Sequence, residues 1–254
     1  MTGPTGCFFL DSNIAISEIL KENNPRISKF KSDSRKNKIC CYISDSIKNE
    51  VNDKVTTTIN YLGNVVKTMI QLRLEESRRN RGINLNVPIT TEDIHLLEDV
   101  FSSFHQAIKR TNGSLQTPIS VIEEWTITFL AEKLDSGTPI DIHNFILQLT
   151  MKLLDTTSDI QNMYDDLIEF QNSFLTIKNI VPNPTTVISL NTLGLHKPDD
   201  YHVASAYSHQ QTNSQYVVFV TFDYKTILKK RYDVRNAGFS IKCSDPLYAI
   251  HHLQ

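Results

Sequence analysis

A run of apolar residues that halts at a carboxylate is the feature that most limits how this chain can fold. Phe8-Phe9-Leu10 ends at Asp11, and Ser12-Asn13 follow. The run reads as a short strand buried on both faces, with Ser12 as the helix N-cap for Asn13 to Leu20. In an open α/β sheet, ligands bind in the crevice beyond the carboxyl ends of the strands. Asp11 falls there. Taken alone it fits a helix cap as well as a ligand site, and only recurrence of the pattern separates the two.

The pattern recurs. Ile39 to Ile43, Tyr216 to Val220 and Gly238 to Cys243 read as three further buried strands, each near helix signals. Strand–helix alternation predicts right-handed crossovers and a mostly parallel sheet. Between the first two strands, Ser28 to Lys38 reads as a polar surface loop. From Asp45 to Asn80 one long helix is expected, with a core stripe at Val51, Val55, Ile59, Leu62, Val66, Met69 and Leu72. Arg73, Arg78, Arg79 and Arg81 near its end, interleaved with Glu75 and Glu76, fit a solvated helix terminus better than a phosphate patch.

The middle third carries helix signals and no strand signal. Gly82 to Pro88 is a break, and Thr90 to Asp93 forms a capping box for a helix to about Arg110. Thr111 to Ser114 is a turn. Thr117 and Pro118 then start a helix to about Asp135. Asp141 opens a helical stretch to about Lys178, interrupted near Thr156 to Asp159. Trp125, Phe129, Phe145, Leu149, Leu153, Leu167, Phe170 and Phe174 fall at helical spacing and read as core. Residues 56–181 are therefore expected to be a helical insertion packed on an α/β domain built from 1–55 and 182–254. Val181-Pro182-Asn183-Pro184 is the rigid return. Pro198 opens a helix to about His209, and Asp245-Pro246 opens the last one.

Composition narrows the partners. The 254 residues, 40% of them hydrophobic, can form a sizeable core, and a net charge of −2 excludes a global positive field. Nucleic acid would have to be met by local patches. Cys7, Cys40, Cys41 and Cys243 all fall in expected strands without C-x-x-C spacing, so they read as reduced core thiols. With no signal peptide and no membrane-spanning run, a cytoplasmic protein is expected.

Four acidic positions converge on one rim in this arrangement. Asp11 follows the first strand, and Asp223 lies three residues past Val220. Glu50 sits one to two helical turns beyond the second strand, and Asp199 with Asp200 begins the helix before the third. Carboxylates crowded in one cleft raise each other's pKa values, and a hard divalent cation removes that penalty. Oxygen-only ligands suit Mg²⁺ or Mn²⁺ rather than zinc. Such an ion can activate water and stabilise a leaving oxygen on a phosphodiester.

These residues resemble the PIN-domain nuclease family of metal-dependent ribonucleases. Phe9-Leu10-Asp11-Ser12-Asn13 is similar to its opening apolar-D-x-N motif, and Ile43-Ser44 through Glu50 to its segment ending in the second acid. Lys197-Pro198-Asp199-Asp200-Tyr201-His202-Val203-Ala204-Ser205-Ala206 resembles the "D-x-x-H-x-A-x-A" helix, the most specific of the four pieces. Val220-Thr221-Phe222-Asp223 resembles the "T-x-D" strand end. The resemblance implies a three-layer PIN-like fold with four or five central strands, plus the helical insertion. It implies Mg²⁺ or Mn²⁺ held by Asp11, Glu50, Asp199 and Asp223, with Asn13 and Thr221 in support and RNA as substrate. The register favours Asp199 over Asp200. It also implies pairing of two copies, or an antitoxin-like or RNA-processing protein partner, away from membranes.

The same residues have quieter readings. His202, three residues after Asp199 on the same helix face, fits packing or support better than acid–base work. Lys197, Lys225, Lys229, Lys230 and Arg231 are each ordinary surface charges, yet as a group beside an acidic site they are candidate phosphate contacts. A non-catalytic PIN-like module, binding RNA or a protein, is the competing function. A D-x-D phosphotransferase would want an acid where Asn13 stands.

Overall fold

The computed structural model describes residues 6–20, 24–111, 115–169 and 175–253. The chain divides into two compact units, Met1–Lys54 with Met163–Gln254, and Val55–Asn162.

The first unit is α/β. Its strands are β1 (Gly6–Leu10), β2 (Cys41–Ser44), β3 (Thr176–Lys178), β4 (Tyr216–Val220) and β5 (Lys242–Ser244), in the order β3-β2-β1-β4-β5. Every pairing is parallel. An all-parallel sheet needs helices over both faces, and the central strands agree, since Phe8, Phe9, Leu10 and Val217 to Val220 are almost wholly buried. Each large side chain so buried contributes roughly 1.5–3 kcal/mol. The helices of this unit are α1 (Ser12–Ile19), α2 (Pro25–Lys36), the start of α3 (Asp45–Asn60), α8 (Pro184–Thr192), α9 (Asp199–Asn213), α10 (Ile227–Asn236) and α11 (Pro246–Ala249). Among the described residues no helix is long and apolar enough to cross a membrane.

Several expectations need correction here. The segment Ser28–Lys38 is mostly helix. Asn24 caps the Arg26 amide, Pro25 takes the first helical position, and Ile27, Phe30 and Ser34 turn inward. The helix after β1 is capped by Asp11, whose carboxylate accepts from the Ser12 amide, and Ser12 is its first residue. Cys40 is exposed and precedes β2, while Cys7, Cys41 and Cys243 are buried. Burial pushes the Cys7 and Cys243 thiols up to about 12, which keeps them protonated and inert. The last strand begins at Lys242, later than expected.

The middle third does contain a strand. Thr176–Lys178 pairs with Tyr42–Ser44 at the edge of the sheet, so residues from Met163 onward group with the α/β unit. Three residues are too few for alternation to declare itself.

The second unit is helical. From Asp45 to Asn80 the chain is continuous helix: α3, a π-helical segment at Tyr61–Val66, then α4 (Lys67–Asn80). A π turn takes in an extra residue and shifts the face that follows. The buried line therefore runs Leu62, Val66, Ile70, Leu74 and Arg78, leaving Met69 and Leu72 exposed. Arg78 is fully buried and bonds the Pro88 carbonyl (2.8 Å), Asp93 (2.6 Å) and the Val87 carbonyl. It is a structural lock, not a solvated end. The capping box holds, with the Thr90 amide and hydroxyl both bonding Asp93 at 3.0 Å to open α5 (Thr91–Thr111).

Two more helices complete the unit. α6 spans Gln116–Asp135 without a side-chain cap, so Thr117 lies inside it. α7 (Ile142–Tyr164) is capped by Asp141 and runs unbroken through Thr156 to Asp159. A π segment at Asp165–Glu169 follows it. Phe145, Leu149, Leu153 and Leu167 are core, whereas Trp125 and Phe129 are half-buried and stack on each other. Asn112 to Ser114, Phe170 and Phe174 lie outside the described residues.

Candidate metal centre

The register of the two central strands builds the first part of the site. Leu10 pairs with Val220, so the next residues, Asp11 and Thr221, emerge side by side. The Asp11 amide continues the ladder by donating to the Val220 carbonyl at 2.9 Å. Asp11 Oδ2 then accepts from the Thr221 hydroxyl and from Asn13 Nδ2, both at 2.6 Å. Asn13 Oδ1 accepts from the Phe222 amide, and Thr221 Oγ1 accepts from the Asp223 amide at 2.9 Å. This closed network ties the loops after β1 and β4 together and fixes the Asp11 carboxylate on a rigid base.

Asp223 shapes its own loop. Its Oδ1 accepts from the amides of Lys225 (2.9 Å) and Thr226 (2.8 Å), which leaves Oδ2 uncommitted among the described residues. Glu50 comes from the second turn of α3, aimed back over the strand ends. Lys54 Nζ lies 2.8 Å from Glu50 Oε1. Glu50 Oε2 is buried without a hydrogen-bond partner.

His202, on α9 and buried, stands between two of these acids. Its Nδ1 is 3.5 Å from Asp11 Oδ1, and its Nε2 is 3.5 Å from Glu50 Oε2. Both separations are too long for direct hydrogen bonds. His202 Nδ1, like Glu50 Oε2, is a buried atom with no bonded partner.

Asp199 reports the convergence most directly. Its carboxyl is pushed up to about 7, first by burial, then by the charges of Asp11 and Asp223, with Glu50 adding and His202 opposing. Asp200 goes elsewhere. It is buried, its Oδ1 accepts from the Tyr201 amide at 2.7 Å, and its Oδ2 accepts from Asn191 Nδ2 at 3.3 Å. That commits it to the junction of α8 and α9.

The structure therefore brings Asp11, Asn13, Glu50, Asp199, His202, Thr221 and Asp223 together and leaves Asp200 out. Among the described residues no three His, Cys, Asp or Glu side chains already stand as a ligand group for a metal. The acids converge without closing. Asp199, Asp223 Oδ2, Glu50 Oε2 and the remaining lone pair of Asp11 Oδ1 are the donors a cation could use. All are hard oxygens.

Of the basic candidates, Lys197, Lys225 and Lys229 are exposed, Lys230 lies 3.5 Å from Asp233, and Arg231 packs over the Tyr232 ring. Two residues were missed by sequence reasoning. Lys54 could have been found, because it lies four residues after Glu50 on one helix. Asn191 sends no signal, since only the packing of α8 beside α9 gives it Asp200.

Comparison with family models, with curated proteins and with solved structures finds no match in any of the three.

Proposed function

We propose that the chain is a metal-dependent ribonuclease with a PIN-like catalytic domain, hydrolysing RNA phosphodiester bonds at the carboxylate rim. One observation carries the reading. His202 stands 3.5 Å from both Asp11 and Glu50, and Asp199 on the same helix is pushed towards neutrality by burial and by Asp11 and Asp223 from the loops after β1 and β4, with Glu50 of α3 adding. A protein that kept such a cluster for stability alone would have supplied a guanidinium, and this one gathers acids.

Asp11, Glu50, Asp199 and Asp223 would hold Mg²⁺ or Mn²⁺. When bound, such an ion supplies an activated water at neutral pH and stabilises charge on phosphoryl oxygens. The chain's own residues prepare for this. Asn13 and Thr221 orient Asp11 through its Oδ2, keeping Oδ1 turned to the cleft side where His202 stands. Glu50 presents an unsatisfied oxygen, and Asp199 would serve as a ligand in its ionised form if a cation were held there. His202 lies between Asp11 and Glu50, 3.5 Å from each, where it fills the space beside both carboxylates.

The second reading, a PIN-like module that binds RNA or a protein without catalysis, is favoured by one observation, the lack of a ready-made ligand group among the described residues. End-labelled RNA incubated with the protein and Mn²⁺ separates the two. The expected outcome is cleavage that stops in EDTA and falls by at least about 10³-fold, or ~4 kcal/mol of barrier, in Asp11→Asn. The circular dichroism of that variant should be unchanged. Cleavage persisting in EDTA sinks the proposal, and RNA binding without Mn²⁺ binding selects the module.

A further inference from the structure

A groove of about 530 Å³ opens beside β5, one of the two edge strands of the sheet, within the size range of ligand sites. One wall is a single face of α10: Leu228, Arg231, Tyr232 and Arg235 recur at the spacing of one helix side. Lys242 and Tyr248 line it from β5 and α11, and Tyr224, the residue after Asp223, lines it from the loop beyond β4. Ile241, Cys243 and Leu228 give it an apolar floor.

Its chemistry is unlike the rest of the surface. Tyr232 (61%), Tyr248 (59%) and Tyr224 (51%) are the most exposed aromatic rings among the described residues, and all three face this groove. The Arg231 guanidinium lies 4.8 Å from the Tyr232 ring centre. The groove's acid, Asp245, is already matched by Arg26 at 3.1 Å and by the Tyr224 hydroxyl. Arg231, Arg235 and Lys242 therefore leave a positive excess. His252 feels it, being held below the ordinary histidine range first by burial, then by Lys242, Arg231 and His251.

Exposed flat rings interleaved with guanidinium groups are the two halves of single-strand recognition, a face for the base and a charge for the phosphate. Duplex nucleic acid hides its bases and could use only the charges. We infer that this groove binds a segment of single-stranded RNA, each base lying on a tyrosine and the phosphates on Arg231 and Arg235. The choice of RNA as the polymer rests on the ribonuclease reading; the groove's chemistry does not.

The test uses the full chain with a fluorescein-labelled ten-nucleotide oligouridylate in EDTA, followed by polarisation. Tyr232, Arg231 and Arg235 are exposed, so their variants should fold. Tyr232→Ala should weaken binding about tenfold, Tyr232→Phe less than about twofold, because stacking needs the ring and not the hydroxyl. Arg231→Ala with Arg235→Ala should flatten the salt slope by about 1.4. No binding by the wild type, equal binding of a duplex, or wild-type affinity in Tyr232→Ala each overturns the inference. Full displacement of the strand by uridine monophosphate, showing a site for a free nucleotide, overturns it too. Mn²⁺-dependent cleavage is measured separately on the same strand. Cleavage with unaltered binding in the variants removes the groove alone. Weakened binding in the variants, with no cleavage by any form, supports the groove and removes the ribonuclease.

Discussion

Asp93 in the helical unit and Asp199 in the sheet unit are both carboxylates drawn out of water, and their surroundings differ in sign. Asp93 receives Arg78 and Arg81, each at 2.6 Å, together with the Thr90 amide and hydroxyl. Burial alone would raise its pKa, but Arg78, the Thr90 amide and Arg81 more than reverse this and hold it below the usual range. Asp199 is met by Asp11, Asp223 and Glu50 and goes the other way, to about 7. The first cluster closes its charge inside the protein and becomes structure. The second gathers like charges, and Asp199 meets them by holding its proton to higher pH.

If that contrast is real, breaking the closed cluster should cost most. Arg78→Met strands Asp93 without its buried partner and should lose about 3–5 kcal/mol of stability in urea unfolding. A loss below about 1 kcal/mol would mean that Arg81 suffices. Asp199→Asn should do the reverse and stabilise the metal-free protein. A raised acid contributes stability that is present below its unfolded pKa and is lost as pH rises through the folded value of about 7. The gain in Asp199→Asn should thus be absent near pH 4 and complete by pH 8, at about 2 kcal/mol after discount for partial exposure. Asp93 has the opposite sign. Its contribution is present above the unfolded pKa and is lost as pH falls through the lowered folded one, so Asp93→Asn should lower stability at neutral pH and flatten the acid limb. A gain for Asp199→Asn that does not change with pH breaks the comparison.

How much of this could be read from residues alone depended on the length over which each signal is repeated. The apolar runs ending at Leu10 and Val220 are uninterrupted, and both strands end where those runs end. Thr176–Lys178 is three residues of unremarkable composition, made a strand only by β2 beside it. α2 was hidden by its charges, because a helix that buries only Ile27, Phe30 and Ser34 looks polar throughout. The π segment moved the buried line from Met69 to Ile70, which a fixed helical period cannot anticipate. At the rim, the choice between Asp199 and Asp200 turned on register, and the structure separates them through Asn191, far from either in kind. Arg78 was misread for a related reason. Its acid partner lies on the next helix, and sequence spacing shows only the neighbours on its own.

The smallest effect concerns Lys54, a cation that the open cluster keeps close. Lys54 lies 2.8 Å from Glu50 Oε1, with side-chain exposures of 42% and 21%. A pair this exposed is worth at most about 1 kcal/mol, so Lys54→Met should barely change unfolding in EDTA. Its effect on Mn²⁺ should be larger than its effect on the fold. The ammonium occupies one oxygen of a candidate ligand and repels an arriving cation, so its removal should tighten Mn²⁺ binding about two- to tenfold in calorimetric titration. Arg81→Met, removing a comparable cation from the closed cluster, should leave Mn²⁺ affinity alone and lower stability instead. Equal Mn²⁺ affinity in wild type and Lys54→Met would show that Glu50 already belongs to its lysine, and the open cluster would then be one acid smaller.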